Sequence, residues 1–188
     1  MGVIRTFIAL ETPEADRKLL SSIQSQLQEG SSDVKWESED KFHTTVKFLG
    51  DTDENRIHRL SNSMKSVLAA FHPFSLTYDS VGFFPNWQSP KVVWVGSTEP
   101  VPIISQIKTK LDKELAQMGF EIEKRAYHPH ITMGRIKGEN GIEHLLSRAE
   151  NLTFEPITMQ INEFVLMKSI LRPEGSQYFM LEKFTLGT

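Results

Sequence analysis

The 188-residue chain contains no cysteine. That excludes a disulfide framework, a Cys-ligated zinc site and a thiol nucleophile, and nothing else argues for an oxidising compartment. No apolar run approaches the roughly 20 residues a membrane helix needs. The first residues, Met1-Gly-Val-Ile-Arg-Thr, lack the apolar core and cleavage site of a signal peptide. The expectation is a cytoplasmic protein with no membrane contact. The same six residues match the loose myristoylation pattern with Gly2 as acceptor, but Val3 to Leu10 reads better as a first strand, and so short a pattern matches often by chance. An excess of positive charge is missing too: the formal net charge is −3. Proteins that coat nucleic acid neutralise many phosphates with Lys and Arg, whereas a catalyst acting on one phosphate needs no such surplus. There is no linker rich in Pro, Gly or Ser, so residues 1–188 are expected to form a single bilobal domain, with no obligate protein partner evident.

What is present is patterned. Val3 to Leu10 is β-rich, and Thr12-Pro13 has the form of an N-cap followed by proline at the first helical position. The helix that follows has the apolar stripe Leu19, Leu20, Ile23 and Leu27, with Gly30 placed to stop it. Val34 to Trp36 and Phe42 to Leu49 read as strands, the second ending at the turn signal Gly50-Asp51. An amphipathic segment from Glu54 to Ala69 puts Ile57, Leu60, Met64 and Leu68 on one side, and Phe74 to Phe83 again has strand character. The second half restates this order with a strand at Lys91 to Gly96, a helix from Val101 to Met118, a strand through His130 to Ile136 and a short helix near Gly141 to Ala149. Strands over Thr153 to Lys168 and Gln177 to Thr185, separated by the turn-like Arg172-Pro173-Glu174-Gly175, close the chain.

One offset recurs. His43 and His130 are 87 residues apart, and so are Phe7 and Trp94, each inside the first strand of its half. The reading is an α+β fold of duplicated β-α-β units related by a pseudo-two-fold axis, with two antiparallel sheets lining a central cleft and helices outside. Each unit supplies one His-x-Thr. Residues i and i+2 of a strand share a face, so His43 and Thr45 look the same way with Lys47 continuing their face, while Thr44, Val46 and Phe48 turn to the buried side. In the second half His130, Thr132 and Gly134 stand against Ile131 and Met133.

Two imidazoles and two hydroxyls are the groups that cleavage of a cyclic phosphodiester requires: a base to activate water, an acid to protonate the departing oxygen, and donors around the phosphoryl oxygens. Histidine has an unperturbed pKa of about 6.5, so one ring can be neutral while the other is protonated beside an anionic phosphate. Threonine donates without adding a titrating group. A lone His-x-Thr is a weak signal; two in matched contexts are a strong one.

The segments carrying these residues, Trp36 to Gly50 (W-E-S-E-D-K-F-H-T-T-V-K-F-L-G) and Pro129 to Arg135 (P-H-I-T-M-G-R), resemble the paired signatures of the 2H phosphoesterases. With Gly82-Phe83-Phe84-Pro85 and Pro90-Lys-Val-Val-Trp-Val-Gly96, the resemblance extends over nearly the whole chain to the RNA 2',3'-cyclic phosphodiesterases, once called 2'-5' RNA ligases. It implies a bilobal α+β fold, no metal or other cofactor, catalytic roles at His43 and His130, and phosphate binding at Thr45 and Thr132. The implied substrate is RNA with a 2',3'-cyclic phosphate end, or a small cyclic phosphate, and the implied product a 2'-phosphate. Val46 and Met133 replace the usual leucines, apolar exchanges on the buried face, and His128 stands where arginine or another residue is more usual. Two rival functions stay open: the same site run as a 2'-5' RNA ligase or a small cyclic-nucleotide phosphodiesterase, and a non-catalytic module that only holds an RNA end.

Other residues admit two readings each. Arg135 resembles an arginine of the family, a clamp for phosphate or the partner in a strand-end salt bridge. Lys47 is a candidate substrate contact by alternation. His128-Pro129-His130 has H-x-H spacing that, with His43, offers three imidazoles to zinc; no carboxylate motif accompanies it and it leaves the duplicated Thr unexplained, so His128 reads as a cleft-lining or structural residue. Phe83, Phe84 and Trp87 are candidates to stack on unpaired bases or to pack. Lys108, Lys110 and Lys113 alternate with Asp112 and Glu114 as a solvated helix face, and His58, His72 and His144 are expected to face solvent.

Overall fold

The computed structural model describes residues 2–173 and 175–187. Met1 and Glu174, and with Glu174 the centre of the Arg172 to Gly175 turn, lie outside the described residues. In order, the elements are β1 (Val3–Glu11), α1 (Glu14–Gln28), β2 (Val34–Trp36), β3 (His43–Asp53), α2 (Ile57–Leu68), β4 (Phe74–Tyr78), β5 (Ser80–Phe84), β6 (Val92–Gly96), α3 (Pro102–Ala116), β7 (His130–Ile136), α4 (Ile142–Asn151), β8 (Ile157–Ile161), β9 (Glu163–Arg172) and β10 (Gly175–Thr185), with 3-10 turns at Glu39–Lys41 and Glu54–Arg56.

The sheet path runs β10-β9-β1-β3-β7-β6-β5, with β2 on β7 and a separate β4-β8 pair. All these pairings are antiparallel. Between β3 and β7 the register has one pair, Thr44 with Ile131. Four strands on either side of that seam therefore form two half-sheets, and the strands that carry the histidines meet along it. The halves also exchange strands: β9 and β10 of the second half complete the first sheet beside β1, and β5 of the first half completes the second beside β6.

Helices cover the back of both half-sheets. Leu20, Ile23 and Leu27 of α1, Leu60, Met64 and Leu68 of α2, Ile104, Ile107, Leu111 and Leu115 of α3, and Leu145 of α4 share one core with Ile8, Leu10, Val46, Val95, Ile131 and Met133 of the strands. A smaller cluster, Phe7, Ala9 and Val165 with Met167 and Tyr178 against it, lies apart from that core. Burial on this scale is the main driving force of the fold, each large apolar side chain contributing about 1.5–3 kcal/mol.

Several local expectations shift. Leu19 is 53% exposed, and the fourth place in the buried stripe of α1 goes to Gln24. Gln24 is tolerated there because its Nε2 donates to the carbonyls of Glu37 and Met133. Gly50 does not end a strand: it takes φ +72° inside β3, which runs on to Asp53. The stretch Phe74 to Phe83 breaks at Asp79, whose carboxylate accepts the backbone N–H and hydroxyl of Thr98, so that β4 and β5 join different sheets. Thr153 to Lys168 likewise divides into β8 and β9. On α3, Lys108 and Asp112 are buried, at 6% and 4% exposure, and only Lys110 and Lys113 of the expected lysine face are exposed.

Candidate active site

In β3 the register passes from Ala9 opposite Thr45 to Ile8 opposite Lys47, which leaves Val46 without a partner. In β7 it passes from Trp94 opposite Thr132 to Val93 opposite Gly134, which leaves Met133 unpaired. These are β-bulges, and each lies 87 residues from the other. A bulge adds one residue to the strand, so the two-residue alternation changes phase beyond it. The burial pattern over His43 to Leu49 and over His130 to Ile136 is consequently identical: half-buried His and Thr, two consecutive buried positions, then an exposed residue. The exposed residues are Phe48 and Arg135.

The change of phase overturns two expectations. Lys47 leaves the histidine face and becomes 4% exposed, with its ammonium 2.5 Å from Asp112 Oδ1 and bonded to the Glu121 carbonyl. Asp112 also takes the Lys108 ammonium at 2.8 Å. Burial alone raises the Asp112 pKa, but the hydrogen bonds from Lys108 and Lys47 outweigh it and hold the carboxyl below its ordinary value. Lys47 is thus an anchor that ties β3 to α3. Phe48, expected on the buried side, is 65% exposed instead.

Both histidines are oriented through their own backbone. His43 Nδ1 donates to the Lys41 carbonyl at 2.6 Å and His130 Nδ1 to the His128 carbonyl at 2.8 Å. A proton held on Nδ1 leaves Nε2 of the neutral ring as the lone-pair nitrogen. His43 Nε2 lies 3.1 Å from the Thr45 hydroxyl. Two aromatic rings flank each imidazole, one from each half of the chain: Phe7 at 5.1 Å and Tyr178 edge-on at 5.0 Å around His43, Trp94 at 6.3 Å and Phe84 edge-on at 4.7 Å around His130.

The cleft between the half-sheets is about 870 Å³ and is lined by His43, Thr45, His130, Thr132, Arg135, Phe84 and His128 among others. Apart from the buried Lys47 and Lys108, whose charges Asp112 pairs, its wall carries five Lys or Arg against two Glu, although the whole chain is negative. Low-dielectric walls with one sign of charge concentrate an anionic ligand. Burial lowers the pKa of His43, with Arg135 and Arg17 pushing the same way against the Lys41 bond. Burial likewise lowers that of His130, with His128, His43 and Arg135 adding to it against the His128 backbone bond. Both rings are therefore poised neutral in the free cleft until an anion arrives.

Of the remaining expectations, Arg135 is half-exposed in the cleft and 3.5 Å from Glu37, so it both pairs and faces the void. The ring of His128 packs on Trp94 at 4.6 Å and lies nearly parallel to that of His130 at 6.5 Å, its Nε2 buried without a partner. Among the described residues no three His, Asp or Glu converge with metal-binding geometry. Phe84 lines the cleft, but Phe83 is 3% exposed and packs on Trp87, so it cannot receive a base. His58, His72 and His144 are exposed. No helix among the described residues is long and apolar enough to cross a membrane. Sequence reasoning missed Tyr178, which reaches the site through strand exchange, and Tyr127, whose hydroxyl donates to the Thr45 carbonyl at 2.9 Å beside the bulge. Phe7 and Trp94 were visible only as an offset.

The family model described as LigT-like phosphoesterase matches residues 10–94 and again 95–178. An RNA 2',3'-cyclic phosphodiesterase of Methanothermobacter thermautotrophicus is 34% identical over 97% of this chain and 99% of its own length. One of Thermotoga maritima is 33% identical over 95% and 93%. Among solved structures, Escherichia coli LigT in complex with 3'-AMP superposes with a TM-score of 0.79 at 24% identity, covering both chains fully.

Proposed function

The chain belongs to the LigT-like phosphoesterases, built from two tandem copies of that family's unit, and we propose that it is an RNA 2',3'-cyclic phosphodiesterase with His43 and His130 as its acid and base. The observation that carries this reading is the pair of bulged strands that present two backbone-oriented imidazoles, each with its own threonine, to one cationic cleft. The names of the relatives support the same substrate class.

In the proposed reaction the cyclic phosphate lies between the two rings. One neutral imidazole takes a proton from water through Nε2 as the water oxygen bonds to phosphorus. The P–O3' bond breaks, and the other imidazole, protonated on binding the anion, gives its proton to O3'. The 2'-phosphate stays on the terminal ribose. Thr45 and Thr132 donate to the non-bridging oxygens as charge builds there, and Arg135 adds a charge-assisted donor at the cleft wall. Phe84 and Tyr178 keep the rings in place and shed water from them. We read residues 1–188 as one catalytic unit, since each imidazole takes a flanking ring from both halves.

The test is RNA ending in a 2',3'-cyclic phosphate, given to the purified protein in EDTA. Ring opening to a 2'-phosphate is expected, and a 3'-phosphate product or no turnover would overturn the proposal.

A further inference from the structure

We propose that Tyr127 is a positioning residue for the reaction, a second-half phenol whose hydroxyl holds the Thr45 backbone so that the Thr45 side chain meets the phosphoryl oxygen in the transition state. The inference rests on the cyclic-phosphate reading of the two histidines and adds to it what aims one of the two threonines.

A bulge interrupts the ladder that otherwise fixes a strand, and a backbone carbonyl at such a point takes its donor from elsewhere. The Thr45 carbonyl belongs to the peptide that leads into the unpaired Val46. Its donor is the Tyr127 hydroxyl, at 2.9 Å. The phenol ring packs against the main core, which leaves the hydroxyl little freedom. Burial, with Tyr78 adding to it, raises the Tyr127 pKa well above its ordinary value near 10, so the group is a donor at every working pH. The chain forms no helix or strand from residue 121 to 129, yet it is tied to both half-sites. The Glu121 carbonyl accepts the Lys47 ammonium, the Tyr127 hydroxyl donates to the Thr45 carbonyl, and the His128 carbonyl accepts His130 Nδ1. One short segment therefore sets how β3 and β7 stand to each other at the reacting groups.

The tether has no twin in the duplication. Asp40 stands 87 residues before Tyr127, exposed, in the 3-10 turn Glu39–Lys41. The bulge of β7 is held instead at the Met133 carbonyl, by the Gln24 amide and the Glu37 N–H. The half-site with the tethered threonine is also the one whose threonine bonds its own histidine, Thr45 Oγ1 to His43 Nε2 at 3.1 Å. That hydroxyl must leave the imidazole and turn onto the phosphate when substrate enters. With the backbone held at the carbonyl, the turn is a rotation of the side chain alone, and the donor arrives in line.

The experiment measures kcat and KM on RNA ending in a 2',3'-cyclic phosphate for Tyr127→Phe, alone and combined with Thr45→Ala or Thr132→Ala. Tyr127→Phe removes one oxygen and keeps the packed ring. It should lower kcat on the order of fivefold with KM unchanged, because a threonine slightly off line still meets the resting phosphate but not the charge of the transition state. An effect exerted through Thr45 vanishes once that hydroxyl is gone. Tyr127→Phe should therefore add nothing to Thr45→Ala and its full fall to Thr132→Ala. Tyr78→Phe is the control: its hydroxyl bonds the buried Thr44 side chain on the opposite face of β3, so its loss should lower Tm and leave kcat as in the wild type. A wild-type kcat in Tyr127→Phe, a fall carried by KM, the same fall in both threonine backgrounds, an equal fall in Tyr78→Phe, or a Tyr127→Phe chain that does not fold each overturns the positioning role. If the wild type opens no cyclic phosphate, the cyclic-phosphodiesterase reading falls and the role with it; if it opens the ring and the two threonine backgrounds respond alike, only the role falls.

Discussion

His43 and His130 stand in frames of one make, a bulged strand, an Nδ1 bond to the carbonyl two residues back and two flanking rings, yet the two half-sites are braced in opposite ways. Four residues past the histidine, β3 has Lys47 and β7 has Gly134. Lys47 reaches out to Asp112 and the Glu121 carbonyl and so fastens the first half-site to the second half of the chain. Gly134 withdraws and lets β2 lie against the strand; a Cβ there would come within 2.7 Å of Val34. The Met133 carbonyl then accepts the Glu37 N–H and the Gln24 amide from the first half. Each imidazole is thus held by the other half's elements. Duplication supplied the frame, and divergence at one position per copy locked the copies together.

The largest effect should come from breaking both half-sites at once. His43→Ala and His130→Ala should each cut kcat by about 10²–10⁴-fold. If the two rings act on one phosphate, the double variant should be little worse than either single one, because residues that work as a unit are strongly non-additive. Effects that multiply in steady-state assays would mean that the halves act independently.

Next come the braces. Asp112→Asn leaves two ammonium groups buried together without their carboxylate, and loss of one partner from a buried ion pair costs roughly 3–5 kcal/mol. Gly134→Ala forces β2 away from β7 and should cost less, about 1–3 kcal/mol. Urea unfolding of both variants measures the difference. Equal destabilisation would show that the two braces are equivalent after all.

How far the sequence revealed this arrangement can be judged at the same positions. Strand alternation puts His with Thr on one face in both motifs and Val46 and Met133 on the other, as found. It cannot show a bulge, because an unpaired residue is a property of two strands in register and the partner β1 or β6 lies far away in sequence. Lys47 and Phe48 were therefore assigned to each other's faces. The same limit hid the burial of Lys108 and Asp112: their spacing on α3 is that of a solvated pair, and only the arrival of Lys47 from β3 makes a buried site there. The 87-residue offset revealed the duplication but not the strand exchange, since pairing across the halves leaves no mark on periodicity.

A smaller contrast concerns the threonines. Thr45 is 3.1 Å from His43 Nε2, whereas among the described residues no such bond joins Thr132 to His130. Thr45→Ala should therefore lose phosphate donation and also free the His43 ring, while Thr132→Ala loses donation alone. Both should lower kcat/KM by about tenfold, the worth of a hydrogen bond to a charged group. Only Thr45→Ala should also move the pH profile. Matching pH profiles in the two variants would remove the distinction.

The finest difference is electrostatic, and a pH profile that reads it would assign the roles. Burial lowers both imidazole pKa values, so each folded-state value lies below the ordinary value near 6.5. Neutral rings then stabilise the fold above that value, and this contribution is lost as pH falls through the folded pKa values. For catalysis the base must be neutral and the acid protonated. The bell-shaped kcat/KM profile of the free enzyme should thus peak on the acid side of 6.5, and its alkaline limb should move up in kcat once the bound anion favours the protonated ring. Arg135 lowers both histidines, but Arg17 acts on His43 alone. Arg135→Gln should therefore shift both limbs toward alkaline pH and Arg17→Gln only one, with Arg17→Lys, which keeps the charge, close to the wild type. If the acid limb moves in Arg17→Gln, His43 is the base; if the alkaline limb moves, it is the acid. A shift of both limbs together would show that the rings titrate as one coupled pair, and the two half-sites would then be inseparable in function despite their different braces.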